Sequence, residues 1–129
     1  MDELPHLYAL TDIVVTRAGA GVLAEIAALE KAAIVIPLCG LTNDHVRGLT
    51  ADHQWQNAVL LADRGAVEIL AQEQLETLTQ VIGSLLANRG RMQSLGRKLH
   101  ECFPEGADRR IAEILRKTAH MQRGPSISL

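Results

Sequence analysis

The sequence predicts an α/β domain whose core is a three-stranded parallel sheet flanked by helices. Three short runs of β-forming residues alternate with segments of helical period, the pattern of strand–helix–strand units with right-handed crossovers. The second run, residues 33–37, is apolar throughout, as expected for a parallel strand covered on both faces. Because doubly wound domains have about five or six strands, we expect the chain to form part of a Rossmann-like domain.

The N-terminal third contains the first strand and a glycine turn. Residues 4–10 are expected to form a short helix, and residues 13–16 a buried strand. The strand runs directly into a small-residue turn, and a segment of helical period follows over residues 21–29. This order of strand, glycine turn and helix is a common phosphate-binding arrangement in α/β proteins.

The middle of the chain is predicted to form a loop, a helix and the third strand. Residues 38–50 are polar and are expected to form a long loop. The helix that follows runs to Arg64, and Gly65 is its predicted C-terminal cap. Residues 66–70 form the third strand. The expected buried face of the helix has apolar residues at i, i+3, i+4 and i+7, namely Trp55, Ala58, Val59 and Ala62.

The C-terminal part is predicted to be helical. Apolar spacing indicates three helices, marked by Leu75, Leu78, Ile82 and Leu85, by Met92, Leu95, Leu99 and Cys102, and by Ile111, Ile114, Leu115 and Thr118. We expect the domain to occupy residues 1–122 and a flexible tail to occupy residues 123–129.

Composition favours a single globular domain. Apolar residues make up 47% of the 129 residues, which argues against disorder. Only Tyr8, Trp55 and Phe103 are aromatic, so the core is expected to be aliphatic. The formal net charge is −2 and the basic residues are scattered, which argues against a nucleic-acid partner.

Other features bear on location and assembly. Cys39 and Cys102 are too few for a disulfide framework, and neither a membrane-spanning run nor a signal-type segment is recognisable, so we expect a cytoplasmic protein. A partial sheet leaves a strand at its edge that invites pairing, so a homodimer through this edge is expected.

The glycine turn is a candidate anion site. Gly19 and Gly21 allow a ligand to approach the backbone, and free amides at the helix start favour a phosphate. Glu25 lies one turn further on the same face, where a carboxylate suits ribose hydroxyls. The alternative is that the glycines only permit close strand–helix packing and that Glu25 is simply solvated.

A second candidate segment covers residues 52–58. Gln54 and Asn57 are three residues apart and share a helical face, roughly opposite the expected apolar face. Two amide side chains at a helix start can donate to and accept from sugar hydroxyls, and His53 stands beside them. The alternative is a solvated polar face with Asp52 as the N-terminal cap.

Both segments resemble the C-terminal domain of MurG-type glycosyltransferases. The resemblance runs from about Leu7 to Lys117 and is strong in residues 19–29 and 52–58. It implies the two-domain GT-B fold and transfer of N-acetylglucosamine (GlcNAc) from UDP-GlcNAc to a polyprenyl-diphosphate-linked acceptor in peptidoglycan synthesis. It implies no cofactor and no protein-bound metal, and it leaves the catalytic residues of this chain unassigned.

The resemblance also implies roles for particular residues. Glu25 would bind the ribose hydroxyls of UDP, and Gln54 and Asn57 would hold GlcNAc hydroxyls, with His53 at the start of this pair. The diphosphate would lie on the backbone of the turn, which comprises the required Gly19 followed by Ala20, Gly21 and Val22.

Some positions depart from the family pattern. Ala18 stands where the family usually has Ser, and Val22 where it often has Thr, which would remove hydroxyls near the phosphates. The loop over residues 39–51 is longer than usual. It brings Asp44-His45 and Asp52-His53 into the same region, but their spacing fits no common metal-ligand motif.

The family's N-terminal, acceptor-binding domain and the first strand of the donor domain have no counterpart in this sequence. We therefore expect an incomplete enzyme, inactive alone, whose parent lies peripherally on the cytoplasmic face of the membrane and binds a lipid-linked acceptor through the other domain. One alternative is a donor-binding subunit of a two-chain GlcNAc transferase. Another is a fragment of a different GT-B enzyme, such as a UDP-GlcNAc 2-epimerase or a glycolipid transferase.

Overall fold

A computed structural model of the chain describes residues 4–38 and 45–103. Within these ranges the sheet has three parallel strands in the order β1-β2-β3, as the sequence predicts. The strands are β1 (Ile13–Thr16), β2 (Ala32–Val35) and β3 (Glu68–Ile69). In the register, Ile13 pairs with Ala32 and Val35 pairs with Ile69.

The helices alternate with these strands. They are α1 (Leu4–Ala9), α2 (Ala20–Ala28), α3 (His45–Asp63), α4 (Leu78–Ala87) and α5 (Arg89–Cys102), with a 3-10 helix over Gln72–Thr77 before α4. No helix in the described part of the chain is long and apolar enough to cross a membrane. The predicted helix over residues 111–118 and the tail lie outside the described residues.

Two expected element boundaries are wrong. Residues 45–50 belong to α3 rather than to a loop, although Gly48 is a poor helix former. The single helix expected from Leu75 onward is split, because a 3-10 helix ends at Thr77 before α4 begins. Leu75 is exposed and does not join the buried face.

The core consists of two aliphatic clusters. One joins α2, α3 and α5 to the sheet through Leu23, Ile26, Ala33, Val35, Ala58, Leu61 and Leu99, among others. The other joins α4 and α5 to the sheet through Ala32, Ile34, Ile36, Leu70, Leu85 and Leu95. Adjacent residues of β2 therefore contribute to different clusters, as expected for a strand covered on both faces.

The turn before β2 is packed tightly against α5. A Cβ atom added at Gly96 would overlap the carbonyl group of Glu30. Glu30 itself has a φ of 51° and follows the end of α2, where Lys31 N donates to Ile26 O at 3.2 Å and Glu30 N donates to Ala27 O at 3.0 Å. These are the paired bonds of a Schellman motif, with Glu30 in the left-handed position that usually carries glycine.

The end of α3 has the same motif with glycine in that position. Gly65 has a φ of 66°, Ala66 N donates to Leu61 O at 2.9 Å, and Gly65 N donates to Ala62 O at 2.8 Å. The predicted glycine cap of this helix is therefore confirmed.

Candidate functional site

The carboxyl ends of the strands lie side by side. Ile36 N donates to Thr16 O at 2.8 Å, and Leu70 N donates to Val35 O at 2.9 Å, so the parallel pairing continues to the point where the strands end. The glycine turn leaves the sheet at the end of β1. Ligands of open α/β sheets bind at this edge, outside the carboxyl ends of the strands.

The start of α2 presents free backbone amides. Gly19 is the N-terminal cap, with φ −71° and ψ 130°, and no side chain caps the helix. The first amide bonded to a carbonyl within the helix is that of Leu23, which donates to Gly19 O at 3.1 Å. The first-turn amides of Ala20, Gly21 and Val22 therefore have no carbonyl one turn earlier in the helix, and they are suited to an anion.

Gly19 and Gly21 face open space. A Cβ atom added at either residue would meet nothing within 4 Å among the described residues. Neither residue has a left-handed φ, so backbone strain does not require glycine there. Packing against the described residues therefore does not require glycine at either position.

Glu25 lies on the open face of α2. The buried face of the helix is formed by Leu23, Ile26 and Ala27, whereas Glu25 is exposed. One helical turn separates Glu25 from Gly21, and residues four apart lie on the same face. The carboxylate is therefore on the same face as the start of the helix and is free to meet a ligand from solvent.

Gln54 and Asn57 lie on the inward stripe of α3. Ala58 and Leu61 are buried, and Gln54 and Asn57 are half-buried at the positions that continue this stripe towards the N-terminus of the helix. Trp55, expected in the core, is 43% exposed. The expectation that the two amides lie opposite the buried face is therefore wrong.

The position where α3 begins also corrects the expectation that these amides lie at the start of a helix. Because the helix begins at His45, Gln54 and Asn57 lie well inside it, and Asp52 is an interior residue rather than the N-terminal cap. The segment therefore has amide side chains but no free backbone amides of a helix start. His53 is exposed beside them.

A hydrogen bond and a shared core cluster place α3 at the carboxyl edge of the sheet. Leu38, three residues after the end of β2, donates its backbone N–H to Oε1 of Gln54 at 3.4 Å. Ala18 of the glycine turn and Ala58 of α3 belong to the same buried cluster. The structure therefore brings both predicted segments to the same edge of the sheet, one on each side of β2.

The two departures from the family pattern have different surroundings. Ala18 is fully buried in the core cluster. Val22 is 37% exposed at the start of α2. Ala18 and Val22 therefore differ in exposure, and the expectation that both lost hydroxyls lie near the phosphates stays a prediction.

Sequence reasoning missed one side chain at this edge. The Nη1 atom of Arg17 donates to Ile36 O at 3.2 Å and to Oε1 of Gln72 at 3.1 Å. Arg17 directly follows β1, and this position was a signal that it faces the carboxyl edge. Nothing in the sequence indicates that Gln72 meets it, because the two residues are 55 positions apart.

A separate cleft of about 350 Å³ lies between β3, the end of α3 and α5. Its lining includes Gly65, Glu68, Lys98 and Arg91, which forms an ion pair with Glu68. None of the predicted site residues lines it, so it is distinct from the candidate site.

Among the described residues, no group of three or more His, Cys, Asp or Glu side chains could hold a metal; Asp44 lies outside them.

Comparison with known sequences identifies the family. Residues 1–110 match the sequence model described as "Glycosyltransferase family 28 C-terminal domain". A relative from Syntrophotalea carbinolica is 41% identical over 118 residues, and one from Solidesulfovibrio magneticus is 36% identical over 124 residues. Both are named UDP-N-acetylglucosamine--N-acetylmuramyl-(pentapeptide) pyrophosphoryl-undecaprenol N-acetylglucosamine transferase.

These matches span most of this chain and a minority of the relatives. They cover 90% and 93% of the chain but 31% of each relative. Among solved structures, the crystal structure of Acinetobacter baumannii MurG aligns with a TM-score of 0.68 and 28% identity, over 91% of this chain and 32% of that one. The sequence match and the shared fold together establish that the chain belongs to the glycosyltransferase family 28 C-terminal domain family.

Proposed function

We propose that the chain is the donor-binding part of a glycosyltransferase that moves GlcNAc from UDP-GlcNAc to a polyprenyl-diphosphate-linked acceptor in peptidoglycan synthesis. The observation that carries the proposal is the pairing of an open, uncapped start of α2 with the inward amides of α3 at one edge of the sheet. The names of the relatives support the choice of a transferase. The two relatives described above are not named epimerases, so the epimerase alternative has no support from them.

In this proposal α2 binds the nucleotide part of the donor and α3 binds the sugar. The amides of Ala20, Gly21 and Val22 bind the diphosphate, helped by the dipole of α2. Glu25 accepts hydrogen bonds from the two ribose hydroxyls. Gln54 and Asn57 bind the GlcNAc moiety from α3, with His53 beside them.

The chemistry follows from these contacts. An acceptor hydroxyl attacks the anomeric carbon of GlcNAc, the bond to the diphosphate oxygen breaks, and UDP leaves with inversion. Negative charge grows on the diphosphate as the bond breaks, and the fixed amides at the start of α2 stabilise that charge without reorganising. The acceptor site and the group that receives the acceptor proton belong, in this proposal, to parts of the enzyme outside this chain.

The proposal extends to location and assembly. The parent enzyme would lie peripherally on the cytoplasmic face of the membrane, where a lipid-linked acceptor is presented.

Among the described residues β1 pairs only with β2, and Val15 of β1 is 41% exposed. A second copy pairing with this edge is the expected homodimer. Sedimentation at high concentration tests it, and a strictly monomeric profile contradicts it.

Titration of the purified chain with UDP-GlcNAc, UDP and ADP, followed by amide NMR, tests the donor site. We expect uridine nucleotides to shift resonances of residues 19–25, and UDP-GlcNAc to shift those of residues 54–57 as well. Glu25→Ala removes hydrogen bonds to a charged group and should weaken UDP binding about 10- to 100-fold.

The matched control is Glu101→Ala, since Glu101 is an exposed carboxylate on α5 that belongs to neither predicted segment. It changes the net charge equally and should leave the affinity for UDP unchanged. Equal effects of the two variants would contradict the assignment of Glu25. A response to ADP as strong as the response to UDP would contradict a donor site that is specific for uridine nucleotides.

A further inference from the structure

We propose that Arg17 is a positioning residue for the sugar end of the site, acting through the end of β2 on Gln54. The inference rests on the proposed function, because it concerns how the GlcNAc part of the donor is held. Arg17 itself has no role in the predicted set of ligand contacts. Its place in the structure, where three strand ends meet, is what points to this role.

The first step is that Arg17 joins the ends of all three strands. It follows β1 directly, its Nη1 atom donates to Ile36 O at the end of β2, and the same atom donates to the side chain of Gln72, which begins the helix after β3. A guanidinium is planar and presents its N–H donors in a fixed arrangement, so one group can hold several acceptors. The three connections are thereby held in one arrangement.

The second step concerns the backbone at the end of β2, which Arg17 holds through the carbonyl oxygen of Ile36. The residue after Ile36 is Pro37, which has no N–H and cannot extend the parallel pairing. Pro37 is fully buried, and its ring restricts the backbone between Ile36 and Leu38. Holding the Ile36 carbonyl therefore also fixes the direction in which Leu38 leaves the sheet.

The third step connects Leu38 to the ligand side. The N–H of Leu38 donates to Oε1 of Gln54 at 3.4 Å. This bond uses one of the two acceptor positions of the amide oxygen and turns the oxygen towards Leu38, so that the NH2 end of the amide faces away from Leu38. Gln54 is thus oriented as a donor to oxygen atoms of the sugar, which are its hydroxyls or the carbonyl of its N-acetyl group.

The consequence is that Arg17 should affect the binding of the sugar more than the binding of the nucleotide. The diphosphate and ribose contacts belong to α2, whose N-terminal turn is bonded internally from Gly19 to Leu23 and does not use the guanidinium. Loss of Arg17 should therefore disturb the sugar contacts more than the nucleotide contacts. A residue needed merely for folding would disturb both equally.

The test compares Arg17→Met, which keeps an apolar stem and removes the donors, with Arg17→Lys, whose ammonium can donate to both acceptors. In the ligand-free full chain, Arg17→Met should shift the amide resonance of Leu38 and the side-chain NH2 resonances of Gln54. In titrations it should weaken UDP-GlcNAc binding about three- to tenfold and change UDP binding less than about twofold. Arg17→Lys should restore both readouts towards the wild-type values.

Two further variants keep the test sharp. Gln72→Ala removes one of the two acceptors and should shift the same resonances by a smaller amount. Arg97→Met removes an exposed positive charge from α5, away from the carboxyl edge, and should change neither readout. Retained amide dispersion in each variant shows that the chain is folded.

Failure of the positioning role of Arg17 and failure of the proposed function would give different results. Unchanged Leu38 and Gln54 resonances in Arg17→Met, or equal losses of UDP and UDP-GlcNAc binding, overturn the positioning role. If the wild-type chain binds neither nucleotide, the proposed function fails and the sugar role of Arg17 fails with it. The ligand-free spectra still decide whether Arg17 holds Gln54.

Discussion

The glycines at the two ends of the sheet differ in what surrounds them. At the carboxyl end, Gly19 and Gly21 have no atom of the described structure within 4 Å of an added Cβ. At the opposite end, an added Cβ at Gly96 would overlap the backbone of Glu30. The first pair has open space beside it among the described residues, whereas Gly96 lets a helix contact a turn directly.

This contrast separates binding from packing. A glycine required by the fold has a neighbour that excludes a side chain, or a left-handed φ, as at Gly65. Gly19 has neither, and it stands at the uncapped start of a helix. Substitutions at the two ends should therefore affect different measurements, stability at the amino end and nucleotide affinity at the carboxyl end.

The largest expected effect is on stability, at Gly96. Replacing Gly96 with Ala pushes a methyl group into the Glu30 carbonyl, and neither backbone can move without separating α5 from the turn before β2. We expect a loss of about 3 kcal/mol or more in the free energy of unfolding, measured by urea denaturation.

The control for this prediction is Gly83→Ala. Gly83 lies in α4 with open space around it, so alanine should raise stability by up to about 1 kcal/mol through its better helix propensity. If Gly96→Ala were as stable as Gly83→Ala, the close contact of α5 with Glu30 would be contradicted.

The next expected effect is on binding, at Gly19. Alanine fits the backbone conformation of Gly19 and meets no atom of the described residues, but it is a poorer N-terminal cap than glycine, so stability should fall by about 0.5–1 kcal/mol. Its methyl group occupies the space next to the free amides, and UDP affinity should fall about tenfold if the diphosphate binds there. Calorimetric titration measures the affinity for UDP, and the control Gly83→Ala should leave that affinity unchanged. Wild-type affinity in Gly19→Ala would remove the diphosphate from this turn.

The smallest expected effect concerns the two Schellman ends. Glu30 occupies a left-handed position at φ 51°, and Gly65 occupies the equivalent position of α3 at φ 66°. Glu30→Gly relieves the strain but loses entropy on folding, so a net gain of about 0.5 kcal/mol is expected. Gly65→Ala should lose about 1 kcal/mol. Thermal unfolding of both variants tests whether Glu30→Gly raises stability and Gly65→Ala lowers it. If both substitutions changed stability in the same direction, the left-handed positions at the ends of α2 and α3 would not be equivalent.

Much of the fold was predictable from the local sequence. The apolar runs, the glycine turn and the cap at Gly65 each depend on a few neighbouring residues, and the three parallel strands and the end of α3 are confirmed. The resemblance carried by residues 17–29 and 52–58 led to the family that residues 1–110 match. The residue roles in the donor site remain predictions.

The inward face of α3 was not predictable in the same way. Apolar residues occur on several sides of this helix, so its sequence favours no single buried stripe, and Trp55 was assigned to the core. Packing against the sheet instead buries Ala58 and Leu61 and leaves Trp55 partly exposed. That choice turns Gln54 and Asn57 towards the carboxyl edge, where a ligand could meet them.

Sequence alone therefore determined the order of elements and the candidate turn, because each arises from residues close along the chain. It also predicted the parallel sheet, because alternating strands and helices imply crossover connections. Tertiary structure decided the orientation of α3, the contact of Gly96 with Glu30, and the bonds of Arg17 to Ile36 and Gln72. These features join residues far apart in the chain. Their energies depend on how the helices pack on the sheet, which no local pattern specifies.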